Sequence, residues 1–312
     1  MLLNSDESKI VSSLGWVDKG SLWILETSSD DIRKIEISDA KYLSLHRNGG
    51  GYFSIFHHYD GNTFDISAHS LHTPETAIST IHWVNGTARF EGDVEIWKKV
   101  PRTYTEYLHR PSESNYYLLY VDPIRPKLDF FDLDWYDSSY DKGYQSVIGA
   151  VEVPHASKVI ISVSRDSRPI LFDMTERQFI KKLTLAERYG NPHLKFRRTE
   201  NELWADDYDT LLKIDPENWK VKKSLRLQDA ADKSMLFIGN YSFNLDEKLC
   251  AVARPFSGDV VALDTHRFKI THYSKLGKQP LEVCLLSNGL VYSRDWKTGD
   301  LLKGKLKRKW FA

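Results

Sequence analysis

The chain has little cysteine, no long apolar run, no excess charge of either sign and scarce helical periodicity. Each absence removes a class of protein. Cys250 and Cys284 are the only cysteines, and both lie in apolar runs, "KLCAVA" and "LEVCLL". Two buried thiols in a reducing compartment are expected, not a disulfide framework or a thiolate metal site. No stretch reaches the roughly 18 apolar residues that a membrane helix needs. The N-terminus "MLLNSDESKIVSS" turns polar by Asn4, so it lacks the apolar core of a signal peptide. A cytoplasmic location without a membrane span is expected, and the sequons at Asn85 and Asn240 are then accidental.

Lys and Arg number 43 and Asp and Glu 43, a formal net charge of zero. That balance argues against bulk electrostatic binding to nucleic acid or to an anionic membrane. No nucleic-acid partner is expected, although a local patch is not excluded. The basic tail "KGKLKRKW" reads mainly as a solvated terminal strand. Nucleotide-binding glycine loops, Gly-x-Ser-x-Gly elbows, His-Glu-x-x-His and kinase motifs are all missing, and no cofactor is expected. "HRNGGGYF" reads as a loop between strands.

What is present is a series of short runs rich in β-branched and aromatic residues, bounded by Gly, Pro, Asp and Asn. "VIISVS", "PILFDM" and "DTLLKID" are examples, and they point to an all-β chain. Runs that close on a polar residue before a turn align at Glu26, His69, Asp132, Asp173, Asp215, Asp264 and Gly304. Their separations, about 43, 63, 41, 42, 49 and 40 residues, are those of a four-stranded propeller blade. Naming the strands a to d from the inside out gives seven units over 1–312. The first unit has only a stub for strand a, and the last has no clear strand d.

On these residues the chain resembles the β-propeller superfamily, in the style of WD40-like or YVTN-like repeats. The resemblance implies a single propeller of seven four-stranded blades, with six as the variant. A pair of two-sheet sandwiches is the alternative architecture. Long insertions are expected in the third unit, at about 98–115 and 134–144.

The meander then sorts the candidate site residues. The b–c and d–a turns share one face, and the a–b and c–d turns share the other. "GYFSIFHHYDGNTFDISAHSLH" carries four histidines, which divide between the two faces. His57 or His58, His82 and Asp60 are the candidate metal ligands or catalytic groups on the first face, and the bland reading is local hydrogen bonding. Arg165, Arg254 and Arg294 close strand b in three units. They form either an anion-binding channel mouth or structural pairs with nearby Asp. The insertions bring Tyr104, Tyr107, Trp135, Tyr136, Tyr140 and Tyr144 to the second face, either as mutual packing or as a surface for a protein partner or a glycan. The favoured reading is a non-catalytic binding or scaffold protein. The alternative is a lyase or hydrolase acting on an anionic sugar or lactone at the mouth.

Overall fold

In a computed structural model of the chain, the described residues are 1–4, 6–12, 21–36, 43–48, 51–57, 63–70, 73, 76–84, 87–93, 103–109, 116–122, 127–132, 147–153, 156–163, 166–173, 175–176, 178–185, 193–227 and 237–308. For 43–48, 51–57, 103–109, 116–122, 127–132 and 147–150, and at scattered strand positions elsewhere, only the backbone is described. The chain divides into two compact units, 1–143 and 144–312. Both are built from small antiparallel sheets, and no helix occurs among the described residues.

The first unit holds three sheets. One consists of β1 (Leu2–Leu3), β2 (Lys9–Ser12), β3 (Ser21–Glu26) and β4 (Ile32–Glu36), in that order. The next has five strands: β5 (Leu43–Asn48), β6 (Gly51–His57), β7 (Thr63–Ser70), β8 (Ala77–Val84) and β9 (Thr87–Gly92). The third has β10 (Thr103–His109), β11 (Tyr116–Asp122) and β12 (Lys127–Asp132).

The second unit holds four sheets. They are β13 (Val147–Val153) to β16 (Gln178–Lys182) by way of β14 (Lys158–Val163) and β15 (Asp166–Asp173), then β17 (Leu194–Arg197), β18 (Glu202–Asp207), β19 (Thr210–Ile214) and β20 (Val221–Arg226). The sixth sheet is β21 (Tyr241–Phe243), β22 (Leu249–Arg254), β23 (Asp259–Asp264) and β24 (Lys269–Lys275). The seventh is β25 (Pro280–Leu285), β26 (Leu290–Asp295) and β27 (Leu301–Lys305). A last short strand, β28 (Lys307–Arg308), adds to β24.

The aligned polar residues have a common physical job. Asp173 accepts the amides of Thr175 and Glu176, Asp215 that of Glu217, and Asp264 that of Arg267. Each carboxylate closes its own c–d turn by satisfying turn amides, the usual role of Asp at such a position. Four residues after the anchor the backbone enters the left-handed region, at Asp30, Trp219 and Phe268. The amide of that residue returns to the anchor carbonyl each time. A register shift accompanies the turns at Trp219 and Phe268, between Lys213 and Ile214 and between Ala262 and Leu263.

A second repeat links the two units in sequence. Asn4 and Asn244 each accept, through Oδ1, the amide five residues on, at Lys9 and Leu249. Thr27 and Thr265 then donate their hydroxyls to the carbonyls of Glu7 and Glu247. An a–b turn is thereby tied to a c–d turn, so these two turn types do share one end of the sheet.

In the second unit the core lies between consecutive sheets. Val153, Ile160, Leu171, Leu203 and Leu212 join the fourth and fifth. Trp204, Leu211, Tyr241, Val252 and Phe268 join the fifth and sixth. Ala253, Val260, Val283 and Leu285 join the sixth and seventh. Each fully buried large apolar side chain contributes about 1.5–3 kcal/mol. The approach of β25 to the chain entering β21 is close enough to need glycine. A Cβ on Gly239 would strike the carbonyl of Leu281, and the neighbouring Asn240 amide donates to that same carbonyl.

Two local expectations change. Gly304 is not a turn anchor. It lies within β27, where a Cβ would meet Ser274 and, at 2.6 Å, Leu276. The 98–115 segment contains β10, which pairs along β11, so Tyr104 and Tyr107 occupy strand positions. The basic tail is an exposed terminal strand, as expected, and its Lys307 and Arg308 pair with Tyr273 and His272 of β24.

Candidate functional site

The b–c turns of the fifth, sixth and seventh sheets are fixed by ion pairs and amide caps. Arg254 ends β22 and stands opposite Asp259, the first residue of β23. Its Nε and Nη2 donate to the two carboxylate oxygens at 2.7 and 2.6 Å, and Nη1 donates to the carbonyl of Leu227 at 2.6 Å. In the fifth sheet Arg226 donates through Nε to the buried Asp209 at 2.6 Å. In the seventh, Oδ1 of Asp295 accepts the amides of Lys297 and Thr298, and Oδ2 that of Gln279. Burial opposes the charge on Asp295, and these amides outweigh it, holding the carboxyl below the ordinary range.

Each of these turns carries an aromatic residue within two places of the end of its strand. Tyr208 directly follows Asp207, Trp296 directly follows Asp295, and Phe256 lies two residues beyond Arg254. Phe256 is 44 % exposed and Tyr208 39 %. Phe237, in the connection from the fifth sheet to the sixth, joins the set edge-on. Its ring lies 5.1 Å from Phe256 and 5.2 Å from Trp296, and those two lie 6.2 Å apart. The carbonyl of Tyr208 accepts the amide of Ile238. The arrangement is a rigid, partly exposed aromatic cluster on turns whose backbones are already satisfied. It offers contact area and π faces, and no nucleophile. Its signal in the sequence is an aromatic residue just past strand b in three successive units, in "DDYD", "ARPF" and "RDWK", which the charged residues alone do not reveal.

A polar group lies near the inner strands. Asp206 clamps His193 twice, by its backbone amide and by Nδ1 at 3.0 Å. Desolvation lowers the basicity of this ring, and the Asp206 carboxylate reverses that, leaving the pKa raised. Lys195 donates to the carbonyl of Tyr241, and burial lowers its pKa. The Tyr241 hydroxyl lies within reach of the carbonyls of His193 and Trp204, at 3.0 and 2.8 Å. These contacts join neighbouring strands to one another, and burial raises the Cys250 thiol pKa, which keeps it protonated.

Of the residues expected at the mouth, Arg254 has an Asp partner, five places on rather than adjacent. Arg294 is buried, 3 % exposed, opposite Glu282 and Leu301. Arg165 lies outside the described residues. So do His58, Asp60, Trp135, Tyr136, Tyr140 and Tyr144, together with the side chains of His57, Tyr104 and Tyr107. No group of three or more His, Cys, Asp or Glu able to hold a metal occurs among the described residues.

His82 is instead held between two carboxylates. Nδ1 meets Asp65 of β7 at 2.7 Å and Nε2 meets Glu91 of β9 at 2.9 Å, with Arg89 directly across the ladder. Burial works against the charged ring, but the bonds to Glu91 and Asp65 outweigh it and raise the pKa. Both nitrogens donate only in the imidazolium. Because the folded pKa lies above the unfolded one, this stabilisation is complete below about pH 6.5 and fades as pH rises through the folded value. Melting temperatures measured across this range for the native chain and for His82→Gln should differ most in acid and converge in alkali. A constant gap would contradict the assignment.

No family model matches the chain, and no curated protein matches it. Among solved structures it is similar to the β-propeller domain of Cps50 (Swd1) from Myceliophteria thermophila, at 13 % identity and a TM-score of 0.65. That match covers 98 % of this chain and 95 % of the other. Apo AztD from Citrobacter koseri matches at 13 % identity and a TM-score of 0.47, covering 88 % and 95 %. The chain has the β-propeller fold.

Proposed function

We propose that this propeller is a non-catalytic binding scaffold that recognises a protein partner through the aromatic-tipped b–c turns, with Tyr208, Phe256 and Trp296 as anchors. The observation that carries this reading is the recurrence of an aromatic residue at the same turn of three successive sheets, one or two residues past the strand end, on turns pinned from beneath. Exposed aromatics held rigidly bind at low entropic cost, and such residues dominate protein interfaces. The seven described sheets support seven blades, and two buried cysteines outside any disulfide support a reducing compartment, here taken as the cytoplasm.

The rival reading, an enzyme acting on an anionic sugar or lactone, needs a guanidinium to spare at the mouth. Arg254 has none, since its fork is spent on Asp259 and Leu227. A glycan partner lacks a comparable supporting observation among the described residues.

The test compares the native chain with Phe256→Ala/Trp296→Ala in affinity capture from the source cells, followed by titration of the purified captured protein. Two anchors of at least about 2 kcal/mol each would weaken binding by a thousandfold if additive, and by thirtyfold if only one counts. Equal affinity for both chains would remove the turns from the interface and the proposal with them.

A further inference from the structure

The basic tail, read from sequence as solvated, sits where it completes a cationic surface. We propose that the exposed face of β24, with β27 and β28 beside it, binds the phosphate backbone of single-stranded nucleic acid. β24, β27 and β28 carry Lys269, Lys275, Lys303, Lys305, Lys307 and Arg308 and not one Asp or Glu. All six cations are exposed. In a chain of zero net charge this concentration is local, and it is created by tertiary pairing, because β24 and the tail are separated by the whole seventh sheet.

The cations are closely spaced. Lys303 and Lys305 lie two residues apart on β27, about 6.7 Å along the strand, and Lys307 opens β28 just beyond Leu306. Tyr273, 40 % exposed, is the register partner of Lys307, so their Cβ atoms lie about 5 Å apart. Lys275 follows two residues after Tyr273, on the same side of β24. The acids opposite this strand are already engaged. Asp259, across from Lys275, holds Arg254, and Asp264, across from Lys269, caps the turn at Arg267. A row of cations with an exposed aromatic ring among them is the pattern that tracks a phosphate backbone while a base stacks. An anionic bilayer would use the same charge, and the Tyr273 substitutions below separate it from a stacked base. This surface is separate from the aromatic turns, and it stands or falls independently of them.

The experiment uses the full chain and a fluorescein-labelled oligouridine, followed by anisotropy over a range of NaCl. Engagement of Lys275, Lys303, Lys305 and Lys307 predicts a slope of log affinity on log salt of about −3. Lys305→Glu/Lys307→Glu should abolish binding with an unchanged melting temperature. Tyr273→Ala should weaken it about tenfold, and Tyr273→Phe should restore it. Failure to bind at low salt would overturn the proposal, as would binding that survives the double charge reversal. So would tighter binding to phosphatidylserine vesicles with no effect of Tyr273→Ala, which would assign the patch to a lipid surface.

Discussion

Replacing Arg254 with alanine should cost about 3–5 kcal/mol of stability, the price of leaving one member of a buried pair without the other. Both side chains are largely shielded, at 10 % exposure for Arg254 and 15 % for Asp259. The variant strands the Asp259 carboxylate and also the carbonyl of Leu227, which accepts from Nη1. The melting temperature should fall by roughly 6–20 °C. Arg254→Lys should recover only part of the loss, because a single ammonium cannot reproduce a two-point grip on a carboxylate. Arg254→Met/Asp259→Leu should be more stable than Arg254→Ala, since it removes the isolated charge together with its partner. The same variants decide between the two roles weighed for this residue. A melting shift induced by a sugar acid in the native chain and absent in Arg254→Lys would restore the anion-site reading. No such shift, together with the pattern above, fixes Arg254 as the clip that holds the Phe256 turn.

The second large effect is expected at Trp204. Its side chain is fully buried and spans the junction of the fifth and sixth sheets. It meets Phe243 and Phe268 edge-on at 5.0 and 5.1 Å, and Nε1 reaches Glu202 at 3.3 Å. Lys213 places its ammonium 5.6 Å from the ring centroid and bonds Glu202 at 2.8 Å and the carbonyl of Thr265 at 3.2 Å. Burial works against the charge on Glu202, and the bonds from Lys213, Trp204 and Arg197 outweigh it, so its pKa is lowered. Trp204→Ala should therefore open a cavity and loosen an ionic network at once, at about 3–5 kcal/mol. Trp204→Phe should recover much of the packing. Hydrogen exchange should show faster opening in β18, β19, β21 and β23 together, because the cavity is shared by two sheets. Opening confined to β18 and β19 would mean that the sheets do not depend on one another through this ring.

The repeat was legible because its turns are local chemistry. Asp173, Asp215 and Asp264 satisfy amides two or three residues away, so the need for a carboxylate is written at one place in each unit. The strand alternation and the short stub at β1 were readable for the same reason. Gly304 was misread because its glycine is required by Ser274 and Leu276, thirty and twenty-eight residues earlier, and not by a turn. Pairing of Arg254 with a nearby Asp was expected, and the ladder decides which Asp it is. In a hairpin the residue across the ladder, not the residue next in sequence, is within reach of a long side chain.

By itself, then, the sequence determined the all-β class, the period of the repeat, the turn chemistry and the burial of both cysteines, since each depends on patterns within a few residues. Tertiary structure alone decided which charges are spent and which are available. Arg254 is consumed by a carboxylate across its hairpin, His82 by acids on both flanking strands, and the tail lysines are gathered beside Tyr273 by a strand pairing that no local pattern encodes. Electrostatic function depends on distances through space, and a balanced count of charges along the chain carries no information about them.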